Sequence, residues 1–104
     1  MNVSDLGETD LINMIQKIIT DYGVQGTLPD VISGIGDDAS VLHVSPNDLL
    51  VTTDQAIENV HFLIDRIPPF NLGWRTIAVN ISDIAAMAGT PKYVVIALSC
   101  PPTA

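Results

Sequence analysis

Residues 79–89, "VNISDIAAMAG", place a single aspartate, Asp83, inside a segment that is otherwise almost wholly apolar. The apolar spacing around it predicts a helix over 72–88, which Gly89 and Pro91 end. Three polar residues recur at i, i+4 and i+7 and so share one stripe of this helix: Thr76, Asn80 and Asp83. A helix that is apolar around nearly all of its circumference is typical of a buried position, so the carboxylate of Asp83 needs a partner.

Three kinds of partner suit Asp83. It can cap a neighbouring backbone, pair with Arg75 or Lys92, or face a cation bound in a cleft. Buried acids are usually satisfied by local groups, which favours the first two partners. The other acids of the chain are relevant to the third partner, a bound cation.

A second acid, Asp54, ends the apolar run "LLVTTD" at residues 49–54. Strand alternation would place Leu50, Thr52 and Asp54 on one face and Thr53 on the other. Hydroxyl and carboxylate oxygens are hard ligands that suit Mg²⁺ or Ca²⁺, and the pattern of an EF-hand calcium loop is absent. This run therefore favours a bound cation as the partner of Asp83.

The composition limits the classes of function. The chain of 104 residues is 47% hydrophobic and 15% charged, which predicts one packed domain at most. Its formal net charge is −8 with only four Lys and Arg residues, so we expect no binding to nucleic acid and cations as natural partners. Cys100 is the single cysteine, which excludes an internal disulfide and the paired-cysteine zinc patterns.

The first ten residues, "MNVSDLGETD", are acidic and therefore do not resemble a secretory signal or a transit peptide. The longest uninterrupted apolar run, "YVVIAL", is far too short to cross a bilayer. These features favour a cytoplasmic protein without membrane partners. The chain ends five residues after its last predicted strand, and we expect it to be part of a longer protein.

Two helices and several short strands are predicted. The helices cover 10–22, capped by Thr9 or Asp10 and closed by Gly23, and 72–88, capped by Asn71. Short runs rich in β-branched residues predict strands at 30–33, 39–44, 49–54, 57–63 and 92–99, with "SPND" as the turn of a hairpin between 39–44 and 49–54. The order predicts an α+β or mixed α/β domain.

His61 allows two interpretations. A lone histidine beside Phe62 is most often a packed, hydrogen-bonded residue, and otherwise it donates to the anion of a substrate. The chain has no P-loop, no complete dinucleotide-binding fingerprint and no nucleophile elbow. Common nucleotide-binding and hydrolase motifs therefore do not account for the acids.

Three blocks together, "GIGDDASVL" (34–42), "TTDQAIENVHF" (52–62) and "GWRTIAVNISDIAAMAG" (73–89), resemble the N-terminal part of the thiamine-monophosphate kinase family. That family belongs to the superfamily of aminoimidazole ribonucleotide synthetase, selenophosphate synthetase and the hydrogenase-maturation dehydratase. The resemblance runs from Asp5 to Pro101 and implies the superfamily's fold, with a sheet packed against helices and a homodimer formed through the sheets.

The resemblance implies a role for each matching polar residue. The ligands of several Mg²⁺ ions would be Asp38, Thr52, Thr53, Asp54 and Asp83, with Asp37 and Asn80 as possible additions. His61 would contact the phosphate of thiamine monophosphate.

The implied reaction is transfer of the γ-phosphoryl group of ATP to thiamine monophosphate, which gives thiamine diphosphate. The cluster of Asp and Thr would hold the Mg²⁺ that brings two polyanions together, a task for which P-loop enzymes recruit a lysine. The family's later "GGD" block and its C-terminal domain are absent from residues 1–104, which would form an incomplete N-terminal ATP- and Mg²⁺-binding domain. We expect this chain alone to be inactive.

Three positions depart from the usual sequence of the family. Arg75 stands where Lys is frequent, Asn59 stands where Gly is common, and "AMAG" at 86–89 replaces "AMGA". None of these changes removes an implied ligand.

Two other functions remain open. The chain could belong to another ATP-dependent enzyme of the superfamily, such as a hydrogenase-maturation or aminoimidazole ribonucleotide synthetase-like enzyme. It could instead be a non-enzymatic module that binds cations or dimerises.

Overall fold

The protein is described by a computed structural model that covers residues 2–22, 29–36, 38–44, 46 and 48–103. It contains two helices and a small antiparallel sheet, so the predicted mixed α+β class is confirmed. The elements are α1 (Glu8–Asp21), β1 (Val31–Ser33), β2 (Val41–Leu42) and α2 (Pro69–Ala86), preceded by a short 3₁₀ turn at Val3–Asp5.

The chain divides into two compact units, and each is described by itself. The first unit comprises Met1–Asn47 with Ile96–Ala104, and the second comprises Asp48–Val95. In the first unit the amide of Ser4 donates to the carbonyl of Pro102 at 3.0 Å, which holds the two parts of that unit together. The prediction of a single incomplete N-terminal domain stays a prediction.

Helix α1 begins two residues before its predicted start. Gly7, not Thr9 or Asp10, is its N-cap, and the Gly7 carbonyl accepts the amide of Leu11 at 3.0 Å. The acidic side chains of Glu8 and Asp10 in the first turn complement the positive end of the helix dipole. The predicted stop at Gly23 lies outside the described residues.

The sheet pairs β1 with β2. Val31 lies opposite Leu42 and Ser33 opposite Val41, with an irregular register between them. The predicted strand at 39–44 is therefore present in shorter form, but its partner is 30–33 and not 49–54, so the predicted hairpin is wrong. Among the described residues of the first unit, α1 makes no extensive contact with this sheet, so the expected packing of helices on a sheet is not found there.

Helix α2 begins three residues before its predicted start. Pro68, not Asn71, is its N-cap, and the Pro68 carbonyl accepts the amide of Leu72 at 3.0 Å. Pro69 is compatible with the first helical position because the amide that it lacks would have no partner within the helix there.

The predicted strands at 49–54, 57–63 and 92–99 are wrong. Residues 49–54 and 92–99 have no regular secondary structure, and 57–62 form a turn closed by a single bridge between Glu58 and Phe62. A strand requires a neighbouring chain to satisfy its backbone groups, and an apolar run supplies only the side chains.

The prediction that α2 is buried is also wrong. None of the described side chains is fully buried, and Trp74 of α2 and Met87, its C-cap, are 72% and 69% exposed. Trp74 stacks on Phe70 at a centroid distance of 6.5 Å, and this pair faces solvent. The apolar pattern correctly indicated a helix, but it gave no information on what covers the helix.

The backbone angles at Ala88, after the C-terminus of α2, and at Asn59, in the turn at 57–62, bear on two of the departures noted in the sequence. The amides of Ala88 and Gly89 donate to the carbonyls of Ala85 and Ile84, each at 2.9 Å, which is the double hydrogen bond of a Schellman motif. The residue between helix and glycine, Ala88, has a φ of 57°, a conformation that usually requires Gly. Asn59 has a φ of 64°, so both departures from the family's glycines fall at left-handed positions.

We predict that Ala88→Gly stabilises the protein. Removing the left-handed strain of an alanine stabilises the folded state by about 1–2 kcal/mol. The greater freedom of Gly in the unfolded chain opposes this by about 0.5–1 kcal/mol. The net gain of about 0.5–1 kcal/mol is measurable by urea or thermal unfolding. The control Ala78→Gly, inside α2, should lose about 1 kcal/mol, and equal losses for the two variants would contradict the motif.

Candidate metal and phosphate site

An extended segment of the second unit, residues 50–54, crosses the face of α2 in the antiparallel direction. A Cβ added at Gly89 would lie 2.5 Å from Leu50 Cδ1, so Leu50 lies against the end of the helix. Thr52 contacts Asp83, and Asp54 lines a pocket further toward the helix N-terminus.

The rises of the two elements explain this alignment. An extended chain advances about 3.3 Å per residue and a helix about 1.5 Å, so one residue of the segment passes about two residues of α2. Alternate side chains of the segment then face the helix, which is the predicted common face of Leu50, Thr52 and Asp54. Val51, between Leu50 and Thr52, is 82% exposed. Leu50, Thr52 and Asp54 therefore lie toward α2 although the segment is not part of a sheet.

The central contact joins Thr52 to Asp83. The Thr52 hydroxyl donates to Oδ2 of Asp83 at 3.1 Å across 31 positions of sequence. Both residues line one groove, the Asp83 groove, whose walls are Leu50, Val51, Thr52, Asp83, Ile84, Ala86 and Met87. The contact places two hard oxygen atoms side by side at an exposed surface of the second unit.

A second pocket, the His61 pocket, lies beside the N-terminal half of α2. Its volume is about 90 Å³, and its walls are Asp54, Gln55, Ala56, His61, Phe62, Leu72, Arg75, Thr76 and Val79. Oδ1 of Asp54 accepts the amide of Gln55 at 2.8 Å, which leaves Oδ2 as its other acceptor. The pocket therefore combines a carboxylate with an imidazole and a guanidinium.

Thr76 and Asn80 bond to their own helix. The Thr76 hydroxyl donates to the carbonyl of Leu72, and the Asn80 amide donates to the carbonyl of Thr76, each at 2.9 Å. The Asn80 side chain therefore uses its nitrogen within the helix, and its oxygen is the atom that a cation could use.

The positions of the remaining predicted ligands give less information about a metal site. Asp38 lies in the loop between β1 and β2 of the first unit, and Asp37 lies outside the described residues. Thr53 is exposed and makes no hydrogen bond with another described residue. Over the part of the chain that the structure describes, no group of three or more His, Cys, Asp or Glu residues is close enough to hold a metal ion.

The oxygen pair of Thr52 and Asp83 fits an Mg²⁺ ion. Both atoms are of the hard type that Mg²⁺ prefers, and the 3.1 Å between them is the length of their hydrogen bond. The donor set in this groove is therefore compatible with magnesium.

Sequence reasoning missed Arg75 as a member of the site. The sequence suggested it as an ion-pair partner for Asp83, but its Nη1 donates to the carbonyl of His61 at 3.4 Å. Arg75 and Asp83 are the only charged residues of α2, and each lines one of the two pockets. An isolated charge on an otherwise neutral helix was the signal that could have identified it.

Comparison with known proteins identifies the family of this chain. The N-terminal domain model of the AIR synthase related proteins matches residues 36–104. The chain belongs to this family. No solved structure matches it.

Curated relatives within the AIR synthase family carry a more specific name. Thiamine-monophosphate kinase of Buchnera aphidicola is 40% identical over 88 residues, which are 82% of this chain and 27% of that protein. The enzymes of that name from Aquifex aeolicus and Haemophilus influenzae are 40% and 41% identical over 97% and 92% of this chain. The chain spans 27–29% of the length of these three relatives.

No helix among the described residues is long and apolar enough to cross a membrane.

A double-mutant cycle should detect the central contact. We predict that Thr52→Val and Asp83→Ala couple by about 0.5–1 kcal/mol in unfolding free energy, because the hydrogen bond is charge-assisted but exposed. The matched cycle with Thr53→Val should give a coupling near zero. Equal coupling at both threonines would show that the contact is not specific.

Proposed function

We propose that the chain forms part of an enzyme that transfers the γ-phosphoryl group of ATP to thiamine monophosphate with the help of Mg²⁺. The observation that carries the proposal is the oxygen pair of Thr52 and Asp83, which brings two of the implied ligands together from distant parts of the sequence. The names of the curated relatives, at about 40% identity, support this reaction over other uses of a cation site.

The proposed reaction assigns separate tasks to the two pockets. Thr52 and Asp83 would hold Mg²⁺ in the Asp83 groove, and Asp54 would contribute from the adjacent pocket. When bound, the metal would neutralise phosphate charge and orient the phosphoryl group. His61 would supply a hydrogen-bond donor to the phosphate of the acceptor, and Arg75 lines the same pocket.

The chemistry requires no strong general base. The acceptor oxygen belongs to a phosphate monoester whose second pKa is about 6, so it is largely ionised near neutral pH. The residues of the site therefore have to bring the two anions together in an orientation that allows phosphoryl transfer. A set of carboxylates, hydroxyls and donors is suited to that task.

The other parts of the proposal rest on the family resemblance. Further Mg²⁺ ions would use Asp38 and Thr53, with Asp37 and Asn80 as possible additions. We propose a cytoplasmic homodimer that forms through the N-terminal sheets. The exposed side chains of Val94 (64%), Val95 (88%) and Ile96 (66%) support this proposal, because such an apolar run suits pairing with another chain.

The reaction is tested by measuring ADP release from Mg·ATP in the native-length protein. We expect ADP release to depend on thiamine monophosphate. Release that does not respond to thiamine monophosphate but responds to another acceptor would favour a different enzyme of the superfamily. No release, with retained cation binding, would favour a non-enzymatic module.

We predict that Asp83→Asn in the native-length protein lowers phosphoryl transfer at least about 100-fold while the fold is kept. The amide oxygen of Asn can still accept the Thr52 hydroxyl, so the contact between the segment and α2 is kept. The metal-free melting temperature should therefore equal or exceed that of the wild type, and the shift caused by Mg²⁺ should disappear.

The control for this variant is Asp65→Asn, at an exposed residue outside both pockets. It should keep both the activity and the stabilisation by Mg²⁺. If Asp83→Asn unfolds the metal-free protein and keeps the Mg²⁺ shift, Asp83 is a structural acid.

A further inference from the structure

The turn at residues 57–62 is closed by its own hydrogen bonds. The amides of Val60 and His61 donate to the carbonyl of Ile57 at 3.2 and 2.8 Å, and the amide of Asn59 donates to the carbonyl of Phe62 at 2.8 Å. Asn59 occupies the left-handed conformation that this closure requires. The backbone that carries His61 is therefore constrained locally.

The same turn fixes the protonation site of the His61 ring. The amide of Ile57 donates to Nδ1 of His61 at 3.1 Å. A nitrogen that accepts a hydrogen bond carries no proton, so the neutral ring has its proton on Nε2. The imidazole is one of the groups that line the His61 pocket.

Arg75 links this turn to α2. Its Nη1 donates to the carbonyl of His61 at 3.4 Å, which is the one side-chain hydrogen bond found between α2 and the turn in the described residues. The guanidinium has five N–H donors, and this contact uses one of them. Arg75 therefore connects the position of His61 to the helix that also carries Asp83.

We infer that Arg75 is a positioning residue that holds His61 as a neutral Nε2–H donor to a phosphate-type oxyanion, and that His61 is not a general base. This inference rests on the proposed function for its substrate. A general base would need Nε2 without its proton, which the Ile57 contact opposes. The ionised acceptor phosphate has no proton to remove, so a donor is the group that it can use.

The tautomer can be measured without any activity, by ¹⁵N NMR of the histidine rings in the native-length protein without substrate. In the neutral ring of His61, we expect Nδ1 to give the signal of an unprotonated nitrogen and Nε2 that of a protonated one, assigned by comparison with His61→Gln. Because Arg75 anchors the turn through the His61 carbonyl, Arg75→Gln should weaken the Ile57 contact and shift the signals toward a tautomer mixture, whereas the control Arg66→Gln, outside the pocket, should not. A dominant Nδ1–H tautomer in the wild type would overturn the inference.

Kinetics give an independent test. The amide nitrogen of Gln reaches about the position of Nε2, whereas that of Asn reaches only that of Nδ1. We expect His61→Asn to raise KM for thiamine monophosphate about tenfold with little change in kcat, and His61→Gln to raise it less than about threefold. Arg75→Gln should raise KM about as much as His61→Asn, and the double variant no further, because both act through one group.

Equal losses in His61→Gln and His61→Asn, or additive losses with Arg75→Gln, would contradict the inference. If the protein has no kinase activity, the proposed function fails, and the NMR result alone decides whether Arg75 sets the His61 tautomer.

Discussion

The hydrogen bond from the Thr52 hydroxyl to the Asp83 carboxylate aligns the second unit. It fixes which residue of the extended segment faces which turn of α2. Leu50 then lies at the helix end near Gly89, and Asp54 lies at the pocket beside Thr76. A slip of one residue along the segment would turn Thr52 and Asp54 away from the helix, because side-chain direction alternates along an extended chain.

Elements that depend on neighbouring residues could be predicted from the sequence, and elements that depend on a distant partner could not. Both helices were identified because apolar periodicity is local, although their caps at Gly7 and Pro68 were missed. The strands at 49–54 and 92–99 were predicted wrongly because pairing depends on a partner that the run itself does not specify.

Only part of the candidate site could be predicted from the sequence. Alternation correctly placed Leu50, Thr52 and Asp54 on one face, since that property needs no sheet. The contact with Asp83 and the link from Arg75 to His61 depend on how the segment docks on α2, which no spacing in the sequence specifies. The two substitutions at left-handed positions became interpretable only when the backbone angles of Asn59 and Ala88 were known.

We propose that the groove beside Asp83 binds a divalent cation specifically. Mn²⁺-induced broadening of threonine methyl signals in the native-length protein tests this directly. Low Mn²⁺ should broaden Thr52 first and spare Thr9 and Thr20, which lie on α1 near Glu8 and Asp21. Broadening of the α1 threonines at the same or lower Mn²⁺ would contradict it, because it would indicate diffuse attraction to a chain of net charge −8.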